Sequence, residues 1–397
     1  NAGRQPYNNG HYQEALTSWK TALNSYKKSG NLAGQARLLQ YRAEAYLAIG
    51  QYYRATGSLQ SALELAEKAG NNQLASQIAG SLGTAYMLSN RNDEAQQLLE
   101  KTVASERKNN QPGSAAIAGN NLGNLLASQG RYDEAITAYQ NAISDAESAG
   151  NNKMATKGAV NIARVLVDSK QQDKALAQLE AVKKQIDALS PSHEKAYTLI
   201  SIGKLYSRLS ANDKTDSNKL DQLAENTITE AAAIAESIAD LRALSYAHGY
   251  LGELYENSGQ TDKALQHTRI ALTELRATPA PEISYRWHWQ EGRLLQAKGE
   301  NEQAINAYQR AVDNLQSVRP VLASGNTSKR GEFREHAGRL YLDLADLLLK
   351  SSDTASDTDT AKASLLQARN AVEMLKGAEL EDYFRDNCVA AVSYTHL

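Results

Sequence analysis

Small and large apolar positions recur along this chain with a period of forty residues. Gly3, Ala43, Gly83, Gly123, Ala163 and Gly203 form one column, which resumes after a nine-residue slip at Gly252 and Gly292. Ala15, Ala55, Ala95, Ala135 and Ala175 form a second column, which resumes after the same slip at Ala224, Ala264 and Ala304. Self-similarity of this period is the signature of a repeat architecture. Three residues beyond most first-column positions stands a large residue: Tyr46, Tyr86, Leu126, Leu166, Tyr206, Tyr255, Leu295. Four beyond most second-column alanines stands another: Trp19, Leu59, Leu99, Tyr139, Leu179, Ile228, Tyr308. Spacings of three and four share one face of a helix. Each unit is therefore predicted to hold two helices, A and B. The small residue of helix A lets helix B approach, and the large residues fill the space around that contact.

Turn signals fall between the helices. Gly50, Gly130, Gly259 and Gly299 stand where the end of helix A calls for a left-handed residue, and "KKSGN", "EKAGN" and "ESAGN" mark the joints between units. Strand signals are absent: β-branched runs are few, there is no period of two, and the six prolines fall mostly in connections. The order small–aromatic–Gly–Tyr–Glu-Ala–aromatic–Ala is plainest in "NNLGNLLASQGRYDEAITAYQNAI", Asn120 to Ile143, and it resembles a tetratricopeptide repeat (TPR). The forty-residue period departs from the family's usual thirty-four and is similar to the longer-helix variant of kinesin light chains and their bacterial relatives. The resemblance covers residues 1–318. It implies an all-α fold, a right-handed superhelix (α-solenoid) of about nine helix-turn-helix repeats, with A helices lining a concave groove.

Two slips interrupt the period without breaking the later register, so one solenoid is expected. "SANDKTDSNKL", Ser210 to Leu220, is expected to be a longer loop within the sixth unit. "ATPAPEIS", Ala277 to Ser284, is expected to be a rigid connection that starts the next helix. Residues 319–391 depart from the pattern. An apolar helix is expected from Glu332 to Lys350, then a solvated spacer, "SSDTASDTDT". A second helix with Leu365, Ala368, Val372, Leu375 and Leu380 on one face completes a divergent ninth pair. "GEFREHAGRLYLDLADLLL" and "LKGAELEDYFRDNCVAA" resemble the approach to a CHAT domain, a caspase-like peptidase module that follows tetratricopeptide arrays in bacterial proteins. That resemblance implies catalytic residues downstream of this chain. Residues 392–397, "VSYTHL", read as a foreign tail, and the first repeat reads as truncated.

Composition narrows the chemistry. Charged residues make up 22% of the 397 and nearly cancel, for a net charge of -2, which gives no basic field for nucleic acid. No apolar run is long enough to span a bilayer. The chain begins at Asn1 with no signal-like segment, so the compartment is not read, nor is the oligomeric state. Cys388, the sole cysteine, has no pocket-like sequence around it and reads as a linker residue rather than a nucleophile. The seven histidines lack metal spacing; "HEKAY" at His193 is not a zinc helix, and His288 stands between two tryptophans. "DTASDTDT" lacks the glycine and closing glutamate of a calcium loop, and "SGNTSKRG" lacks the order of a phosphate-binding loop. No cofactor, metal or catalytic constellation is read.

The groove remains. Family positions that face it map, by offset from the small residue of helix A, onto Asn120, Asn121 and Asn124 in the fourth unit. In the fifth they are Lys157, Asn161 and Arg164, and in the sixth Tyr197, Ser201 and Lys204. The eighth contributes Arg286, Trp289, Gln290 and Arg293. Asparagine amides can pair with an extended peptide backbone, and Arg and Lys favour carboxylates on it. The expected partner is a protein or peptide, acidic and extended, bound by a sensing module next to a peptidase. The alternative is a passive scaffold whose polar face only keeps it soluble, and an array that is itself an enzyme is a third reading with no residues to carry it.

Overall fold

The computed structural model describes residues 3–8, 12–48, 51–212, 216–276, 279–322, 338–355 and 357–394. Every regular element among them is an α-helix. The helices fall into two compact units, one built on residues up to Gln171 and the other beginning at Gln172. The first holds α1 (Arg4–Asn8), α2 (Tyr12–Lys28), α3 (Leu32–Ala48), α4 (Tyr52–Lys68), α5 (Asn72–Leu88), α6 (Asn92–Lys108), α7 (Pro112–Ser128), α8 (Tyr132–Ser148) and α9 (Asn152–Asp168). The second begins with α10 (Gln172–Asp187), α11 (His193–Asn212), α12 (Ser217–Ser237), α13 (Leu241–Asn257) and α14 (Thr261–Glu274). It continues with α15 (Pro281–Ala297), α16 (Asn301–Leu322), α17 (Gly338–Asp353) and α18 (Thr358–Tyr394). Among the described residues each unit is an all-α stack of helix pairs, the local layout the periodicity predicts.

Helices α2 to α9 are each 17 residues long and separated by three, which divides the forty-residue period into equal halves. The three-residue joint has one recurring geometry. At Gly70 the φ angle is +65°, Gly70 N–H donates to Glu67 O, and Asn71 N–H donates to Ala66 O, closing a Schellman turn. Gly30, Gly130, Gly150, Gly259 and Gly299 hold the same left-handed position, as the sequence predicts, whereas Gly50 lies outside the described residues. Asn90, Asn110, Lys170 and Ala239 occupy it without being glycine. The next residue then caps the following helix where it is Asn or Asp: Asn31, Asn71, Asn151 and Asp240 each accept a backbone N–H three residues on.

The predicted packing is present in atomic detail. All eight alanines of the second column are fully buried. A Cβ added at Gly123 would lie 2.5 Å from Tyr139, at Gly292 2.5 Å from Tyr308, and at Gly83 3.0 Å from Leu99. At Gly3 and Gly203 it would collide with Trp19 and Ile228. In each case the large residue belongs to the B helix of the same pair. The seventh pair differs. Thr268 replaces the large residue opposite Gly252, and Gln290 of α15 fills the space, donating to Thr268 Oγ1 at 2.8 Å. Within each unit A helices also touch the next A helix: α3 with α5, α5 with α7, α7 with α9, and α11 with α13, α13 with α15.

Several expectations need correction. Ser210–Leu220 is mostly helical: α11 runs to Asn212 and α12 starts at Ser217, so seven of the nine extra residues lengthen two helices to 20 and 21 residues. The expected spacer is partly helical: Ser351–Asp353 finish α17, and Asp357 accepts Thr360 N–H at 2.8 Å to start α18. The predicted start at Glu332 lies outside the described residues. On α18 the buried face is Ala368, Ala371 and Ala378, while Leu365 and Leu380 are exposed. Of the expected face, Ala368 is buried and Val372 and Leu375 are half-buried, with Leu375 beside Gly338 of α17. Trp289 Nε1–H donates to Asp343 of α17 at 2.9 Å, and Gln309 to Gln367 of α18, so the ninth pair packs on the eighth.

Candidate functional site

The A helices carry the positions expected to meet a ligand, and in the first unit several bond to one another. Asn161 on α9 donates from Nδ2 to Asn120 Oδ1 on α7 at 2.9 Å, and lies 3.5 Å from Asn124 Oδ1. Tyr139 OH donates to Asn124 Oδ1 at 2.8 Å, and Arg164 Nη1 to Asn161 Oδ1 at 2.8 Å. Asn120 and Asn161 are only 1% and 4% exposed. Their amides therefore join two repeats instead of standing free for a peptide, which corrects the sequence expectation for these two. The physical reason is that a buried amide left unpaired costs about 1–3 kcal/mol, so residues between touching A helices pair across them. Lys157 and Arg164 are exposed, and Asn121 and Asn124 half-buried. Burial pushes the Tyr139 phenol above its ordinary value, and Arg164 partly offsets this.

In the second unit α11, α13 and α15 present an aromatic and cationic face. Tyr197 lies 5.9 Å from Tyr246, which stacks on Tyr250 at 6.1 Å; both Tyr246 and Tyr250 meet Trp287 edge-on. Burial pushes Tyr197 up to about 12, so its phenol stays neutral. Two cations from different helices converge on one phenol. Lys204 Nζ of α11 donates to Tyr250 OH at 2.9 Å and sits 4.0 Å from its ring centroid, and Arg286 Nη1 of α15 donates to the same oxygen at 3.2 Å. Among the described residues neither forms an ion pair; Glu253 acts on Arg286 only at longer range. A cation facing a ring gains about 0.5–2 kcal/mol, too little to replace a paired carboxylate's geometry and specificity.

The remaining expected residues are engaged. Arg293 makes a two-pronged pair with Glu256 at 2.7 and 2.8 Å and faces Trp289. Gln290 is buried against Thr268, and the Ser201 hydroxyl donates to Tyr197 O. Tyr246 and Tyr250 were not singled out from the sequence, although the offsets that gave Arg286 and Gln290 from Gly292 give these two from Gly252. Among the described residues no cluster of three His, Cys, Asp or Glu is placed to hold a metal. No helix of the described residues is long and apolar enough to cross a membrane. The Cys388 side chain lies outside the described residues.

Residues 114–184, the fourth and fifth pairs, match the tetratricopeptide repeat family model. No curated protein matches the chain. Among solved structures, BtubC (BKLC) from P. vanneervenii is 16% identical over 57% of this chain and 92% of that one, with a TM-score of 0.49. The apo form of RapI is 14% identical over 69% and 95%, with a TM-score of 0.47. PH0952, a STAND protein with a tetratricopeptide repeat sensor from Pyrococcus horikoshii, is 13% identical over 88% and 53%, with a TM-score of 0.46. The family match and the helix-pair packing support a tetratricopeptide array, an architecture of interaction modules.

Proposed function

We propose that the chain is a protein–protein interaction module that binds an extended, acidic protein segment along the A-helix face. The observation that carries this reading is the convergence of Lys204 and Arg286 on Tyr250, two cations without a carboxylate partner among the described residues, beside the rings of Tyr197 and Tyr246. An Asp or Glu of the bound segment would take the place left beside them, since charge-assisted bonds to a carboxylate are stronger than bonds to a phenol. In the first unit Lys157 and Arg164 on α9, with Asn121 and Asn124 on α7, are a separate candidate face for such a segment. In the intact parent the array, residues 1–318, would regulate a caspase-like peptidase placed after residues 319–391. The resemblance of "GEFREHAGRLYLDLADLLL" and "AELEDYFRDNC" to the approach to a CHAT domain supports this step. The passive-scaffold reading is favoured by a different observation: Asn120, Asn161, Gln290 and Arg293 are all spent on bonds within the array.

A peptide-array screen at two salt concentrations, on wild type, Arg286→Glu and Arg164→Glu, decides between them. Wild type should select acidic peptides, and charge reversal at Arg286 should weaken them by about 1–3 kcal/mol, the scale of one charge-assisted bond. Affinity should fall with salt, because exposed charges are screened over about 10 Å at 0.1 M. If wild type selects no acidic peptide, or Arg286→Glu binds them equally well, the scaffold reading stands.

A further inference from the structure

We propose that the cleft between α14, α15 and α16 binds a small phosphate-bearing molecule, at a site separate from the A-helix face. Two adjoining hollows, of about 650 and 480 Å³, meet here and share Arg269, Glu291 and Arg310 in their walls. The larger is within the size range of small-molecule sites. Glu291 lies at the floor with its side chain 9% exposed, 3.2 Å from Arg269 Nε, 3.8 Å from Arg310 Nη2 and 3.5 Å from His288 Nδ1. Burial would raise its carboxyl, but contacts with His288 and Arg269 and the charge of Arg310 hold it below the ordinary value.

The arginines are not used up by this contact. Arg269 and Arg310 remain 51% and 55% exposed, Arg269 reaches Glu291 through Nε alone, and Arg310 is too distant for a hydrogen bond. Arg276, exposed at the end of α14, lines the same cleft and makes no ion pair among the described residues. In the larger hollow three guanidinium groups against Glu291 leave a formal excess of two positive charges, His288 aside, whereas Asp313 lowers the excess in the smaller one. A dianion matches that excess, and the guanidinium fork matches phosphate oxygens in geometry. The Ser284 and Thr273 hydroxyls stand on the same wall, whereas Leu272, Leu275 and Pro279 offer apolar surface for the body of the molecule. A structural ion-pair cluster would need only as many cations as its glutamate neutralises.

The test is calorimetric titration of the whole chain at low salt with phenyl phosphate, inorganic phosphate and acetate. Phenyl phosphate should bind saturably and more tightly than inorganic phosphate, and acetate at equal ionic strength should not compete. Arg276→Gln and Arg310→Gln, shown folded by circular dichroism, should each raise the dissociation constant about tenfold, the equivalent of one charge-assisted hydrogen bond. Arg54→Gln, which removes an exposed arginine in the other unit, should leave it unchanged. Three results would overturn the assignment: no saturable binding by wild type, equal competition by acetate, or equal weakening by Arg54→Gln. Capture of the chain by phosphatidic-acid vesicles without binding of phenyl phosphate would also overturn it, in favour of a membrane surface.

Discussion

Gly123→Ala tests the packing rule on which the fold rests. The added Cβ would stand 2.5, 2.6 and 2.9 Å from three ring carbons of Tyr139, where ordinary contact needs about 3.4–4 Å. The ring cannot retreat easily, being 2% exposed with its hydroxyl held by Asn124 at 2.8 Å. Helices α7 and α8 must therefore part, and overpacking of this kind costs about 1–3 kcal/mol. Helix propensity acts in the opposite sense, favouring Ala over Gly by about 1 kcal/mol. Gly57→Ala isolates that term, since Gly57 is also inside a helix and a Cβ there meets nothing within 4 Å. Gly57→Ala should stabilise by up to about 1 kcal/mol, and the difference between the two variants should be about 1–3 kcal/mol. Gly123→Leu should fall at or beyond the upper end. Repeat arrays need not unfold in one step, so urea melts should be paired with hydrogen exchange resolved to α7 and α8. Replacing Tyr139 by Leu should reduce the cost of Gly123→Ala in a double-mutant cycle. If Gly123→Ala stabilises the chain as Gly57→Ala does, the small residues of the first column are not packing sites.

Two further outcomes follow from buried ionisable groups. Glu106 is 5% exposed with Oε2 unpartnered among the described residues, in a column whose other members, apart from the exposed Tyr26, are Ala66, Ala146, Ile186, Ala235, Leu275 and Leu315; Glu106→Ala should raise stability in urea by about 1–2 kcal/mol, and a loss would show that the carboxylate has a stabilising partner. Burial and the neighbouring His267, 2.9 Å away between Nδ1 atoms, push His248 down to about 4, with Glu225 and Lys263 acting on His267 from α12 and α14. The unfolded chain protonates first, so this contribution is complete above about pH 6.5 and is lost as pH falls through about 4, on the order of 2 kcal/mol; His248→Gln should flatten that part of the profile, and parallel profiles would refute it.

How much of this was legible depended on whether a residue's neighbours lie inside its own pair. The columns were legible because Gly123 and Tyr139, or Gly292 and Tyr308, are sixteen residues apart on two helices of one hairpin, so spacing alone fixes their contact. The lengthening of α11 to Asn212 and of α12 from Ser217 was not. Asn, Asp and Ser are tolerated in a solvated helix, which needs no apolar period to persist. On α18 the expected face was right in its middle, Ala368, Val372 and Leu375, and wrong at Leu365 and Leu380, where the fully buried positions are the small Ala371 and Ala378. The asparagines were legible as positions and illegible as partners. Whether Asn161 faces solvent or Asn120 depends on how α9 leans on α7, forty-one residues away in sequence, and no spacing within a repeat contains that angle.

The same dependence separates residues that hold the array from residues that could recognise a ligand. Each A-helix position has a counterpart in the repeat before and after, so a polar side chain there meets either a complementary neighbour or solvent. Arg293 meets Glu256, Gln290 meets Thr268, and Asn161 meets Asn120; each of these stabilises a joint between repeats and is satisfied without a ligand. Lys204 and Arg286 meet a tyrosine whose single oxygen cannot neutralise either charge. Keeping two cations together over a phenol is unfavourable by their mutual repulsion, and an arriving carboxylate would remove that cost. On the proposed reading a carboxylate would bind where the array itself is least complementary, and in the second unit that place is Tyr250.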